Sequence, residues 1–279
     1  MATSAYQAPQ SYVSRRPLRA RVAGNAREVY RYRHLVHYLV SSSLRTENVN
    51  SIFGFFWWLL DPLLLAATYM LLVQAILHRG TTNYPVYIMV ALMSWEFFQR
   101  TVRNAMAQTL GKERSMRQVA FPKSVIPLSA ALGEGVHFVF ALIVLVLFAI
   151  PFGITPSPYA LLALPIGVLQ LLFTLGVAYA FAALNMFFRD TSHLSTYLFR
   201  VWFYLSPGIY QSNLIPESYR HYYELNPFAI LFTAYRKALM YHELPHLLPL
   251  VGVGVASIVV LLLGYAYFVS VSPKFAKVE

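Results

Sequence analysis

"FFRDTSHLSTYLFRVWFYLSPGIY", residues 187–210, decides the fold of this chain. Sixteen residues separate Asp190 from Pro207, with Arg200 near their middle. A helix rising 1.5 Å per residue covers about 24 Å in that length, short of the ~30 Å hydrocarbon core of a bilayer. Read from length alone, the stretch does not cross. The rest of the chain has to say whether it must.

Of the 279 residues, 58% are hydrophobic and 12% charged. Soluble domains carry about 25% charged residues, so this is a membrane protein. Its net charge of +11 is concentrated in two regions, a topology signal that argues against nucleic-acid binding. The chain has no cysteine, which excludes disulfides, thiolate nucleophiles and thiolate-bound metals.

Five apolar segments meet the ~20-residue requirement for spanning: about 51–77, 84–106, 125–151, 159–188 and 247–271. The stretch at 191–210 is the sixth candidate. Residues 1–27 are polar, basic and free of acids, without an apolar leader segment, and read as a disordered cytoplasmic tail. Residues 28–44 form an expected amphipathic helix, with Tyr32, Val36 and Leu39 on its apolar face and Arg27, Arg31 and His34 roughly opposite. Such a helix suits the membrane interface or a partner's surface. Residues 272–279 form a short polar tail.

Basic residues orient the spans. Eight Lys and Arg lie before residue 46 and six between Arg100 and Lys123, so both regions belong in the cytoplasm. With six spans, 17 basic residues are inside and four outside; with five, the numbers are 19 and three. Charge mildly favours five.

Several apparent motifs carry no chemistry. "HELPH" (242–246) has the zinc-protease spacing, but Pro245 disrupts the helix that would align both imidazoles. "LGKERS" lacks the flanking residues of a phosphate-binding loop. No D-x-D pair supports a sugar transferase, and no repeated halves suggest an ion-coupled transporter. No metal or cofactor site, and no catalytic residue, is expected. Asp61, Glu96, Arg100, Glu134, His137 and Arg200 lie within apolar segments, where they should face a bundle interior, a partner or water. Phe53–Trp58, including Trp57 and Trp58, form an interfacial aromatic belt. Tyr197, Phe199, Trp202, Phe203 and Tyr204 run through the depth of the sixth segment instead. They could line a path for an amphipathic cargo such as a glycan, or simply pack. Asn226-Pro227 caps a helix too short to span, carrying Arg236 and Lys237, which should lie on the surface or dip partway into the membrane.

Three stretches in order, "SIFGFFWWLLDPLL" (51–64), residues 187–210 and "LNPFAILFTAYRKAL" (225–239), resemble motifs of the membrane subunit of ABC-2 type polysaccharide exporters. That family serves O-antigen, teichoic acid, galactan and related lipid-linked glycans. The resemblance covers about residues 28–270 and implies an all-α transmembrane domain with six spans, 191–210 included. It implies a bacterial inner-membrane protein with both termini cytoplasmic, working as a homodimer with two copies of a separate ATPase that holds ATP and magnesium. The helix at 28–44 would lie beside that ATPase. The loop 110–124, with Arg114, Arg117, Phe121 and Pro122, would carry the coupling helix. Tyr197, Arg200, Trp202, Phe203 and Tyr204, with Trp57 and Trp58, would line a channel at the dimer interface. Residues 211–241 would re-enter the outer leaflet as a gate, with Tyr210, Asn226 and Pro227 as outer-gate residues. The family's other cargoes, drugs and free lipids, are the alternative.

Overall fold

The computed structural model describes residues 17–46, 83–112, 121–210 and 216–277, with a few positions between 60 and 71. Every element among the described residues is helical. They are α1 (Leu18–Arg31), α2 (Arg33–Thr46), α3 (Tyr84–Gly111), α4 (Val125–Ala149), α5 (Ala163–Phe187) and α6 (Thr191–Leu205), then α7 (Glu217–Glu224), α8 (Pro227–Arg236) and α9 (Leu247–Val271). The expected first span lies almost wholly outside the described residues.

Among the described residues, three helical stretches are long and apolar enough to cross a bilayer: Val125–Phe152, Pro158–Phe187 and Leu247–Phe275. Their outward faces are aliphatic, as lipid contact requires: Leu132, Val139, Ile143 and Leu147 on α4, and Leu248, Val255, Leu262 and Leu263 on α9 are all exposed. α3 differs. Every residue from Tyr84 to Trp95 is buried, so this 28-residue helix is the post around which the others pack. It runs five residues past the expected end of its span.

Close helix approach replaces hydrophobic burial as the organising force between lipid-facing helices. α5 and α9 meet at glycines: a Cβ on Gly176 would come 2.6 Å from backbone atoms of Val260 and Leu261, and one on Gly264 would collide with the Gly176 carbonyl oxygen. Between α3, α5 and α8 a buried polar trio makes the opposite kind of contact. The Ser94 hydroxyl and the Tyr235 phenol each donate to Gln170 Oε1 at 2.9 Å. Gln170 Nε2 donates to the Ser94 carbonyl at 2.6 Å. The three fully buried side chains satisfy one another, so the cost of burying them is offset.

Two expectations change at the amino end. Residues 18–27, expected as tail, are helical, and the helix expected over 28–44 is broken at Tyr32. Partners distant in sequence explain both. Arg21 Nη2 donates to the Val269 carbonyl at the end of α9, at 2.9 Å. Asn25 Oδ1 accepts from Ser124 at 2.5 Å and from Tyr265 at 2.7 Å. α1 thus follows α9 while α2 follows α4, and the break lets the chain change neighbours.

Candidate functional site

α6 begins at Thr191, as expected, but stops at Leu205 instead of continuing to residue 210. Pro207 has no N–H and disfavours helical backbone at the residue before it. Ser206 accordingly adopts an extended conformation (φ −99°, ψ 144°) and the chain turns through Gly208.

The helix has two unlike faces. Thr191, Ser195, Phe199 and Phe203 recur every fourth residue and are buried. Phe199 stacks edge-on against Phe98 at 5.0 Å, and Phe203 packs 5.4 Å from Trp95. Trp202, half-buried, joins the same aromatic cluster, 5.2 Å from Phe228 and 5.5 Å from Phe98. On the other face Tyr197, Arg200 and Tyr204 are exposed, with Leu194, Leu198 and Val201 among them. The Arg200 guanidinium lies 6.0 Å from the Tyr197 ring, at the outer limit of a cation–π contact. Of the seven residues expected to line a path, three therefore stand outward and two pack inward. Trp57 and Trp58 lie outside the described residues.

The turn that ends α6 is fixed from every side. Arg236, at the end of α8, is 3% exposed, contrary to the expectation of a surface position. Its guanidinium lies 3.4 Å from the centroid of the Tyr87 ring. It donates to the carbonyls of Pro207 (2.8 Å), Gly208 (2.7 Å) and Tyr87 (3.3 Å). The carbonyls of Pro207 and Gly208 lie past the end of α6 and have no ladder partner, and a planar fork of donors can serve them together with that of Tyr87. Tyr84 and Tyr87 donate to the carbonyls of Ile209 and Tyr210, at 2.8 and 3.0 Å. The Tyr210 phenol meets that of Tyr223 at 2.8 Å.

Asn226 supplies the other half of the clamp. Its side-chain oxygen caps α8 at the Phe228 N–H (3.0 Å), with Pro227 at the first helical position as the sequence implied. The same oxygen receives a bond from Trp202 Nε1 at 3.3 Å, and Nδ2 donates to the Ser206 hydroxyl at 2.9 Å. Nothing local in the sequence pointed to Arg236, because its acceptors lie 28 to 149 residues away.

The remaining expected residues are dispersed. Val36 is buried, and Tyr32 and Leu39 are half-buried, on α2 and at its junction with α1. Pro122 is buried and Phe121 half-buried at the end of the loop before α4, while Arg114 and Arg117 lie outside the described residues. Glu96 pairs with Arg100 one turn on at 3.2 Å, and Glu134 with His137 at 3.5 Å. Residues 242–246 are not helical, and His242 takes left-handed backbone (φ 53°), so the two imidazoles share no helical face.

An all-helical bundle with lipid-facing spans, a short amphipathic helix and a clamped turn is matched by the ABC-2 type transporter family over residues 27–240. The chain belongs to that family. It is 31% identical over 253 residues to the O-antigen export system permease protein RfbA of Myxococcus xanthus, covering 90% of this chain and 97% of the relative. Two proteins of the same name from Klebsiella pneumoniae are 30% identical over 203 residues, 72% of this chain and 78% of theirs. As an ABC-2 membrane subunit the chain is a multi-pass integral membrane protein. Such subunits lack the ATPase domain and hold no cofactor; ATP is bound by a separate partner.

Proposed function

We propose that this chain exports a lipid-linked polysaccharide across a bacterial inner membrane as the permease of an ATP-driven transporter. One observation carries the reading beyond the family: the outward face of α6 sets Tyr197, Arg200 and Tyr204 on a helix whose other face and terminal turn are held rigidly. Exposed rings with polar tips suit the alternating apolar and hydroxylated surfaces of sugar rings. An arginine there suits a wet path or a phosphate better than acyl chains.

In this reading α6 is the fifth of six spans, both termini are cytoplasmic, and two copies of the chain face one another across α6 and the first span. Its 15 helical residues suffice, because a wall lining a water-filled path need not match the lipid thickness. Tyr197, Arg200 and Tyr204 contact the cargo, and Trp202 and Phe203 hold their helix in place. Two ATPase subunits bind beneath, against α1, α2 and the loop 110–124, and nucleotide-driven closure moves that loop as a rigid body. Residues 211–241 gate the outer end, with Tyr210, Asn226 and Pro227 as gate residues.

The test is reconstitution of the full chain with its ATPase in proteoliposomes. Vanadate-sensitive ATP hydrolysis is expected to rise when a prenyl-diphosphate glycan is present. Hydrolysis that responds to amphiphilic drugs but not to the glycolipid overturns the polysaccharide reading. A reporter fused after Glu279 that is accessible from outside the cell overturns the six-span topology.

A further inference from the structure

The carboxy-terminal residues, expected as a polar tail, are folded. Ser272–Lys277 continue α9 as a tight 3-10 turn, and the Phe275 side chain within it is 1% exposed. Its ring sits 5.5 Å from that of Phe268, near the end of α9, and 5.8 Å from that of Phe187, the last residue of α5. Only residues 188–190 separate Phe187 from the start of α6. The turn thus packs against the segment from which α6 departs.

Lys123, two residues before α4 and at the end of the loop 110–124, reaches the same turn. Its ammonium donates to the Ser272 carbonyl at 2.9 Å and lies 5.5 Å from the centroid of the Phe275 ring. A charge-assisted bond and a cation–π contact are both strong for their kind. A cation in a basic loop beside a membrane ordinarily faces lipid phosphates or a partner. This one is turned onto the end of its own chain.

The neighbouring Ser124 fixes the loop elsewhere. Its hydroxyl bonds Asn25 of α1, and its carbonyl accepts from Tyr179 of α5 at 3.0 Å. Tyr179 lies about two helical turns before the end of α5, whereas Phe275 touches the last residue itself. A close-packed interior has little slack, so displacing one member of such a contact displaces the next.

We propose that the carboxy-terminal turn couples the ATPase to α6. Movement of the loop 110–124 passes from Lys123 to Ser272 and Phe275, and from the Phe275 ring to Phe187 and the base of α6. Lys123 and Phe275 act as positioning residues, through other groups and not on the cargo. This proposal rests on the reading above that nucleotide-driven closure moves the loop.

The chain has no cysteine, so Leu194→Cys, at a position 67% exposed in the first turn of α6, accepts a single environment-sensitive dye. The labelled full chain is assembled with its ATPase in nanodiscs without glycolipid, and emission is read before and after ATP with vanadate. A change is expected, smaller by at least about fivefold in Phe275→Ala and in Lys123→Met, as loss of coupling between sites implies. ATP hydrolysis per complex should persist in Phe275→Ala. Because both side chains serve one path, the double variant should lose no more than the worse single one. Lys123→Met carries the test if Phe275→Ala does not fold.

A purely structural anchor would lower the amount of folded complex and leave the signal per complex unchanged. That result overturns the proposal and leaves the bond between Tyr179 and Ser124 as the path. A parent chain whose dye does not respond also overturns it, as does a Lys123→Met chain that no longer holds the ATPase. If the dye responds as expected but glycolipid stimulates no hydrolysis, the polysaccharide reading falls and the coupling stands. The reverse result removes only the coupling.

Discussion

α6 and α9 solve the same problem by opposite means. α9 has 25 residues, almost all apolar, and is held by its length in the bilayer and by bare backbone contact with α5 at Gly176 and Gly264. α6 has 15 residues, too few to be held by lipid, and is fixed by aromatic packing and by polar bonds to its terminal turn. The difference teaches where each helix is vulnerable. A long span tolerates polar loss and fails on added volume; a short one tolerates volume on its open face and fails when a single donor is removed.

Removing the donor should have the largest effect. Arg236→Met keeps much of the stacking over Tyr87 but leaves the carbonyls of Pro207 and Gly208 without this partner. Unpaired buried groups cost about 1–3 kcal/mol each, so a loss of at least about 2 kcal/mol is expected. The measurement is the thermal midpoint of the detergent-solubilised protein, read by size-exclusion fluorescence. Arg236→Lys should not rescue it, because a single ammonium cannot serve three carbonyls in a plane. A midpoint unchanged in Arg236→Met would mean that packing alone holds the turn.

Added volume comes next. Gly264→Ala places a methyl group against the Gly176 carbonyl, and neither helix backbone can yield without separating. Overpacking of this kind costs about 1–3 kcal/mol. Gly252 on the same helix has open space around its Cβ position, so Gly252→Ala should leave the midpoint unchanged or raised. If the two alanines behave alike, close approach is not what joins α5 to α9.

A smaller loss is expected at Asn226. Asn226→Ala removes the cap of α8 and the bond to Ser206, for about 1–2 kcal/mol. Asn226→Asp keeps the capping oxygen and loses only the donor, so it should recover more than half of the loss in the same thermal assay. Equal losses in the two variants would place the weight on the Ser206 bond instead of the cap.

The same contrast explains what the sequence could say. The bounds of the last span, 247–271, coincide with α9 because lipid contact is written in a continuous apolar run. The start of α6 at Thr191 and the Asn226-Pro227 cap were likewise local signals. The burial of Arg236 was not legible, since its acceptors come from α3 and from the turn after α6. Nor was the helix over residues 18–27, whose polar side chains find partners at the ends of α4 and α9. The inward stripe of Thr191, Ser195, Phe199 and Phe203 was present as a four-residue repeat. Without neighbours, though, it reads like the exposed tyrosines beside it, and sequence alone puts Trp202 and Phe203 in one group with Tyr197 and Tyr204.

That grouping can now be separated by experiment, and the smallest effect on stability should accompany the largest effect on transport. Tyr197 and Tyr204 are 65% and 51% exposed, and substitutions at such positions usually change stability by less than about 0.5 kcal/mol. Tyr197→Ala and Tyr204→Ala should therefore leave the thermal midpoint within error while reducing glycolipid-stimulated ATP hydrolysis in proteoliposomes. Phe199→Ala on the opposite face should do the reverse. It opens a cavity against Phe98 and Phe181, costs about 3–5 kcal/mol, and affects transport only through the amount of folded protein. If all three variants lose activity in proportion to lost stability, the outward face of α6 is a scaffold like the inward one. If the tyrosine variants alone lose activity at full stability, the exposed face is the surface the cargo touches.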